Sequence, residues 1–479
     1  GPEQIILGGS MITDSDFFPN AIIAEVKRSS LYLMVENLRF RKAAIVPLGG
    51  ALGAVCIVLD NFHSYDSTLA PLKEIIDMEH NTYAIHGALL IDGNGGTPLA
   101  NSVVLVEGNR ISAVGPSSLL NIPSGYTVID AQGKTLLPGF IDAHVHLYMG
   151  EHDVCIPGAG LPLGLADHPC MRVLKSLEYA THTLMAGFTT VRDAGDLADN
   201  TIQLRNAINQ GIVAGPRILS CNQHLSITGG HLAPYPAWLK RTDHINNACD
   251  GRDDVLKAVR HQIRMGADWI KFFATGGISD THNTQEFNDE EIATIVGEAH
   301  SKHKKVFAHC MYEEGTLAAV KGGIDSVEHG SRLNEEIVDE MLARGTWLVP
   351  TLCVLDASAT LGPDYGIPEW YCKKAKWFYD CNLSSLQYAH QMGVKIGFGS
   401  DSGFNAQKHG MNAREFVQYV KAGFTPMDAI VCATKRNAEL LELQDQIGTV
   451  EAGKRADLIL VDGNPLDDIS ILQDQSRIS

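Results

Sequence analysis

Hydrophobic and polar positions change their spacing twice along this chain of 479 residues. In 83–137, short β-branched and aliphatic runs alternate with Gly, Asn and Pro turns, as in β-strands. Between about 138 and 445, apolar runs alternate with stretches such as 254–267 and 289–304, whose apolar residues recur every three and four positions, as in amphipathic helices. Residues 446–479 return to the β-rich pattern, so the chain is predicted to be an α/β protein.

The central region contains eight strand-like runs, most of them followed by helix-like sequence. They are 139–147, 187–195, 216–223, 268–274, 305–310, 325–330, 347–353 and 395–403. Eight strands alternating with helices over about 300 residues are typical of a (β/α)₈ TIM barrel. An open doubly wound sheet has the same alternation, but no GxGxxG follows the first strand, which disfavours its dinucleotide-binding version.

The flanks of this barrel are predicted to form one small β-sandwich of antiparallel strands, built from 83–137 and 446–479 around a barrel at 138–445. For 1–82 the sequence predicts no particular structure. Within it, 43–59 is a mostly apolar run of 17 residues, the lower limit for a membrane span. Because Pro47 and three glycines suit a buried strand-turn-strand equally well, no stable membrane span is expected.

The composition of the chain limits which classes of binding partner and which compartment are expected. The chain carries 38 basic and 56 acidic residues, a formal net charge of −18. A nucleic-acid partner is therefore not expected, since such proteins usually present a basic surface. The ten cysteines include no CxxC pair, which favours a reducing, cytoplasmic compartment but leaves secretion open.

Several groups able to bind a metal fall at the ends of the barrel strands, where barrel enzymes place their chemistry. His144 and His146 are two residues apart, so on a strand both imidazoles point the same way and can reach one ion. His309 and His329 end the fifth and sixth strands, and Asp401 ends the eighth. Together they predict a metal site.

Lys271 lies in the fourth strand among Trp269, Ile270, Phe272 and Phe273. An ammonium group there would be costly to bury and would repel cations. Reaction with carbon dioxide would convert it to a carbamate, an anion whose two oxygens can bridge two metals. The set predicts hydrolysis by a hydroxide held between two divalent cations.

These features resemble the amidohydrolase superfamily, in particular its binuclear branch of imidazolonepropionase-like, prolidase-like and ochratoxinase-like amidases. The resemblance covers about 83–471 and includes the motifs LLPGFIDAHVHL, GFTTVRDAG, IKFFATGGI, SVEHG, GSDSG, GFTPMDAIVCATKRNAELL and GTVEAGKRADLILVDGNPLDDI.

The resemblance implies a ligand set. His144, His146 and Asp401 would hold one ion, His309 and His329 the other, and carboxylated Lys271 would bridge both. Zinc suits these nitrogen and oxygen ligands, although other divalent ions would fit. Asp401 would also take the proton of the attacking water and deliver it to the departing nitrogen. Similar enzymes are commonly homo-oligomers.

Substrate contacts are less specified. The glycine-rich segment SITGGHLAPYP carries His231 and Tyr235, and similar enzymes often place a histidine of this loop close to the substrate. Both are candidate substrate contacts, and His231 is also a candidate catalytic residue. Relatives commonly have a His-Gly pair after the fifth-strand histidine, where this chain has Met311 and Tyr312. Tyr312 is therefore a candidate substrate contact, and Arg192 and Asp193 are expected to form an internal ion pair.

The leading hypothesis is a binuclear metal-dependent amidohydrolase that cleaves a C–N amide bond of a dipeptide-like or N-acyl amino-acid substrate. One alternative is a mononuclear deaminase of the same superfamily. Deaminases typically keep a glutamate where this chain has Tyr312, and they lack the bridging lysine. The other alternative is a non-catalytic scaffold, although such proteins usually lose ligands and none is missing here.

Overall fold

The computed structural model describes residues 4–7, 39–42, 82–150, 167–196, 198–231, 247–280, 283–404 and 406–479. The chain divides into two compact units, Gly1–Asp77 and Met78–Ser479. In the first unit, β1 (Gln4–Leu7) and β2 (Arg39–Lys42) pair in parallel. The apolar run 43–59 lies outside the described residues, and among those described no helix is long and apolar enough to cross a bilayer.

One mixed sheet of the second unit joins both flanks of the central region. Its strands are β3 (Thr82–Leu90), β4 (Leu99–Glu107), β5 (Arg110–Pro116), β6 (Thr127–Asp130), β7 (Lys134–Pro138) and β17 (Leu458–Asp462). The order is β17-β7-β3-β4-β5, with β6 also paired to β3. The sequence predicts antiparallel strands, but the sheet is mixed, because β6 and β7 both run parallel to β3. A second sandwich layer stays a prediction.

The central region contains two sheets in which every pairing is parallel. Their strands are β8 (Phe140–Val145), β9 (Phe188–Asp193), β10 (Arg217–Ser220), β11 (Leu225–Ser226), β12 (Asn247–Ala248), β13 (Trp269–Phe273), β14 (Lys305–Cys310), β15 (Ser326–His329) and β16 (Trp347–Val349). One sheet has the order β10-β9-β8, the other β12-β11-β13-β14-β15-β16. The fold is therefore mixed α/β, and closure into a single barrel stays a prediction.

Helices follow most of these strands. They are α1 (Pro169–Met185), α2 (Asn200–Asn209), α3 (Arg252–Met265), α4 (Asp289–Ser301), α5 (Glu313–Gly322), α6 (Glu335–Arg344), α7 (Leu352–Thr360), α8 (Glu369–Met392), α9 (Arg414–Lys421), α10 (Pro426–Val431) and α11 (Asn437–Leu440). A π-helical turn, Cys432–Arg436, separates the last two. Helix α4 shows how the sequence sets an end, because Asn288 and Glu291 form a reciprocal capping box.

The strands that carry the predicted ligands are buried on both faces. Every residue of β8, β13 and β15 is buried, as expected of parallel strands covered by helices. The interior includes Trp269 and Phe307, whose ring centroids lie 5.8 Å apart in an edge-to-face arrangement. Their contact packs β13 against β14.

The last two predicted strands differ from the structure. The seventh, expected over 347–353, ends at Val349, and α7 begins at Leu352 after Thr351 adopts a left-handed backbone with φ of 51°. The eighth, expected over 395–403, forms only isolated parallel bridges, Leu348 to Ile396 and Val145 to Ser402. Short apolar runs cannot show from their pattern alone where a ladder stops.

Candidate metal centre and active site

The six side chains predicted to hold metal converge on one pocket at the ends of the parallel strands. The pocket has a volume of ≈ 640 Å³ including its opening to solvent. Its lining includes all six, namely His144, His146, Lys271, His309, His329 and Asp401, together with His231. Residues that are up to 257 positions apart in the sequence (144 to 401) are therefore brought to one place.

Asp401 lies beside the two histidines of the first strand. Its Oδ1 is 3.3 Å from Nε2 of His146 and 3.6 Å from Nε2 of His144. Ligand atoms of His144, His329 and Asp401 all lie within 4.8 Å of one another. These separations leave room for a cation among them.

Unusual backbone geometry turns two of these side chains into the pocket. Asp401 has a φ of 54° and His329 a φ of 67°, left-handed values that cost about 1–3 kcal/mol for residues other than glycine. Small neighbours allow the approach, because a Cβ at Gly399 would stand 2.8 Å from Cβ of His144. The motif GFGSDSG thus provides both the carboxylate and the space around it.

His309 and His329 form the other side of the pocket. Their ring centroids are 4.6 Å apart, and His231 stacks on His309 at 4.2 Å with an interplanar angle of 26°. Nδ1 of His329 shares a hydrogen bond of 2.6 Å with Oγ1 of Thr351. His231 donates from Nδ1 to the carboxylate of Asp280. Each of the rings of His329 and His231 is therefore held in place by a hydrogen bond at Nδ1.

Lys271 is 2% exposed and lies in the middle of β13. Its Nζ lies 4.9 Å from the centroid of the Phe307 ring. Within the described part of the chain, no hydrogen bond or ion pair holds this amine. A buried lysine without a carboxylate partner is costly in its charged form.

Burial sets the charge state of the pocket. It lowers the pKa of His144 and His309 well below the usual range and that of His329 to about 4. Burial likewise lowers the pKa of Lys271. Burial alone would raise the pKa of Asp401, but the adjacent imidazoles, led by His144, outweigh it and lower that pKa below its ordinary value. Neutral imidazoles beside a carboxylate are the states that bind a cation.

The donor atoms fit a metal. Nδ1 of His144 donates to Oε2 of Glu328 over 2.6 Å, which leaves Nε2 of the neutral ring as an acceptor facing Asp401. Nε2 of His309 and Oδ1 of Asp401 are buried, and the described residues provide neither with a hydrogen-bond partner. Acceptors that face each other without a donor are satisfied by a cation placed among them.

Sequence reasoning did not identify the groups that hold these ligands. Glu328 immediately precedes His329, and strict strand alternation would place it on the opposite face. It nevertheless binds His144, on another strand. The expected ion pair of Arg192 with Asp193 is wrong, because Arg192 pairs with Glu328 at 2.8 Å, while Asp193 accepts from the backbone of Leu147. Adjacent residues on a strand point to opposite faces and cannot easily pair.

Of the other two candidate substrate contacts, the structure describes one. Tyr235 falls outside the described residues. Tyr312 does not line the metal pocket but a neighbouring one that also contains Arg332 and Lys374. Its ring packs on Phe378 with centroids 5.4 Å apart.

A pocket of imidazoles and a carboxylate at the ends of parallel strands defines a class, the hydrolases that use bound metal. The amidohydrolase family model matches residues 135–479. The chain is 30% identical over 451 residues to ochratoxinase of Aspergillus niger, covering 89% of this chain and 91% of that protein.

Solved structures agree. A crystal structure of a Xaa-Pro dipeptidase with bound methionine in the active site has a TM-score of 0.74 and 33% identity, covering 83% of this chain and 100% of that one. A prolidase complexed with N-methylphosphonate-L-proline has a TM-score of 0.76 and 32% identity, covering 83% of this chain and 97% of that one. The chain belongs to the amidohydrolase family and is a hydrolase of C–N amide bonds, which confirms the predicted resemblance and enzyme class.

Proposed function

We propose that this protein is a binuclear metal-dependent amidohydrolase that cleaves the amide bond of a dipeptide-like or N-acyl amino-acid substrate. The observation that carries the proposal is the convergence of six potential ligands on one pocket, with buried acceptors that have no hydrogen donor in the described residues. Its family relatives include enzymes named ochratoxinase and prolidase.

In the proposed centre, His144, His146 and Asp401 hold one ion and His309 and His329 the other, with zinc suited to both positions. The separation of at most 4.8 Å among ligand atoms of His144, His329 and Asp401 supports ions that lie close together. Bound there, the ions would polarise the amide carbonyl and lower the pKa of a water molecule toward about 7.

A carbamate on Lys271 would supply the bridge. Its burial and lowered pKa favour the neutral amine, the form whose nitrogen attacks the carbon of carbon dioxide and then loses a proton. The product is an anion where an ammonium would repel both ions.

Asp401 is the proposed acid-base residue. A carboxylate has two oxygens, so one can bind an ion while the other accepts the proton of the attacking water. The proton then passes to the departing nitrogen, which leaves as an amine. The adjacent imidazoles lower the pKa of Asp401 in spite of burial, so its carboxyl group is ionised.

His231 is the proposed substrate contact. It stacks on His309 at the pocket wall, and its ring is held by Asp280. Gly277 permits this position, since a Cβ there would lie 2.5 Å from Cε1 of His231. The ring is therefore fixed close to the proposed metal centre, and with Nδ1 donating to Asp280 its Nε2 can accept a hydrogen bond from a bound substrate.

Besides the proposed ligands, the pocket lining carries apolar and aromatic side chains, which favour a substrate with an apolar side chain. They include Ile278, Val354, Leu355, Tyr371 and Phe404. In the lining drawn from the described residues, Asp401 is the only acidic side chain. A cationic substrate side chain would find no carboxylate other than the proposed ligand, and its burial would be costly.

A substrate panel tests the proposal. Zinc-loaded protein is incubated with N-acyl amino acids and dipeptides that carry apolar, cationic or acidic side chains, and released amine and ammonia are measured separately. We expect amine release from the apolar members, at least about 10-fold faster in kcat/KM than from the cationic ones, and loss of the reaction in Asp401→Asn. Ammonia release alone would indicate a deaminase and contradict the proposal.

Barrel closure is the architectural part of the proposal. Residues 395–402 lie between β16 and β8, since Leu348 bridges Ile396 and Val145 bridges Ser402 in parallel. On the other side, the backbone N–H of Asp268 donates to the carbonyl of Ser220 over 2.7 Å. These contacts at both junctions support one (β/α)₈ barrel with the metal pocket at its mouth.

A further inference from the structure

A buried cation contacts residues that surround His144, one of the proposed metal ligands. Arg192, on β9, has no exposed surface. The central carbon of its guanidinium lies 4.6 Å from the ring centroid of Trp269 and 4.1 Å from that of Phe307. Cation–π contact with both rings confines the guanidinium, which presents a planar fork of donors to its other neighbours.

Arg192 contacts two groups that hold His144, the backbone before it and the carboxylate that binds its ring. Its Nε donates to the carbonyl oxygen of Ala143 over 2.7 Å, and its Nη2 donates to Oε1 of Glu328 over 2.8 Å. The other oxygen of Glu328 accepts from Nδ1 of His144 over 2.6 Å. Ser326 completes the cluster, donating to the same Oε1 over 2.7 Å. The guanidinium thus fixes both the backbone before His144 and the carboxylate that orients its ring.

The orientation has a chemical consequence. A neutral imidazole carries one N–H, and a carboxylate facing Nδ1 requires that proton to be at Nδ1. Nε2 then presents its lone pair to Asp401, 3.6 Å away. Without Arg192, Glu328 would be a buried carboxylate with no cationic partner, which is costly enough to displace it. Its displacement removes the acceptor that fixes the proton on His144.

We propose that Arg192 is a positioning residue for the metal centre, acting through Glu328 to fix the tautomer and orientation of His144. The inference rests on the proposed function, since it takes His144 as a metal ligand. The inference links Arg192 to the ion that His144 would bind and not to the other ion. His329, held instead by Thr351, belongs to a different set of contacts and provides an internal comparison.

Zinc affinity measured by chelator competition tests this role. The double variant Arg192→Met/Glu328→Gln removes both charges together, so that no unpaired charge stays buried. We expect one of two zinc equivalents to bind about 10–100-fold more weakly, the usual effect of losing an outer partner of a ligand. Arg192→Lys keeps the charge but not the fork, and should weaken the same equivalent.

Two controls separate positioning from stability. Arg205→Met breaks a different ion pair, a partly buried one with Asp268, and should lower the unfolding temperature while both zinc affinities stay unchanged. Thr351→Val should weaken the other zinc equivalent, because it removes the partner of His329. A role in stability alone would make the Arg192 variants resemble Arg205→Met.

The outcomes are distinguishable. Two tight zinc ions in wild type and in both Arg192 variants would overturn this inference and leave the proposed function intact. A wild-type chain that binds no zinc would overturn both. Should the variants fail to fold, nitrogen NMR of His144 in the metal-free wild type decides, since a proton at Nε2 in place of Nδ1 would overturn the inference.

Discussion

The chemical state of Lys271 determines what the pocket can do at the scale of single residues. The sequence placed this lysine among aromatic and aliphatic neighbours, and the structure shows it 2% exposed with its amine over Phe307. An ammonium and a pair of divalent cations cannot share such a space at low cost, because like charges repel strongly where water is excluded. The proposed carbamate would resolve this conflict.

Replacement of Lys271 by alanine tests this role. In Lys271→Ala we expect less than one zinc ion per chain and a kcat/KM that falls by more than the roughly 100-fold typical of losing an outer contact. Lys373→Ala, an exposed lysine of α8, is the matched control and should behave as wild type. Two bound zinc ions and full activity in Lys271→Ala would exclude the bridge.

The same scale shows what sequence reasoning can and cannot reach. Strand-end positions were sufficient to nominate His309 and His329, because the carboxyl ends of parallel strands meet at one edge. Strand-end positions could not identify Glu328. Regular alternation of side chains along the strand would turn Glu328 away from the site, and only the left-handed backbone of the next residue departs from that regular pattern. The φ of 67° at His329 is a consequence of packing, and no local pattern signals it.

Among the elements, α7 is the one whose start the sequence did not predict. The apolar run 347–353 suggests a strand throughout, yet the chain turns at Thr351 and a helix begins at Leu352. The cause lies in a distant residue. Glu415 of α9 accepts the backbone N–H groups of Leu352 and Cys353 over 2.9 and 2.6 Å, satisfying two donors that every helix start leaves unpaired.

A pH-dependent stability follows from this contact. Burial raises the pKa of Glu415 to about 8, whereas an unfolded glutamate titrates near about 4.3. Between those values the folded chain keeps a proton that the unfolded chain releases, so the free energy of unfolding falls as pH rises through this window. The side chain in Glu415→Gln is neutral throughout this pH window, so the variant does not show that fall in the free energy of unfolding.

Thermal unfolding of Glu415→Gln and wild type at about pH 5 and about pH 8 measures the effect. The variant loses one hydrogen-bond acceptor at either pH, so the informative quantity is how the difference between the proteins changes. We expect that difference to move in favour of the variant as pH rises. Glu335→Gln, an exposed site on α6, should show no such change, and a pH-independent difference for Glu415→Gln would contradict the assignment.

At the scale of the whole molecule, the proposed metal centre lies where three parts of the fold meet. His144 belongs to the sheet β10-β9-β8, and Lys271, His309 and His329 belong to the sheet that contains β13, β14 and β15. Asp401 lies in the segment between them. The alternation of strands and helices predicted this arrangement, whereas the pairing of strands β6 and β7 with β3 depends on long-range contacts that no local pattern contains.

A crystal structure of the protein purified in bicarbonate and zinc, with anomalous diffraction recorded at the zinc edge, tests the central claim most directly. We expect two anomalous peaks in the pocket, one near His144, His146 and Asp401 and one near His309 and His329, with carboxylate density on Nζ of Lys271 between them. A single peak beside an unmodified Lys271 amine would contradict the account.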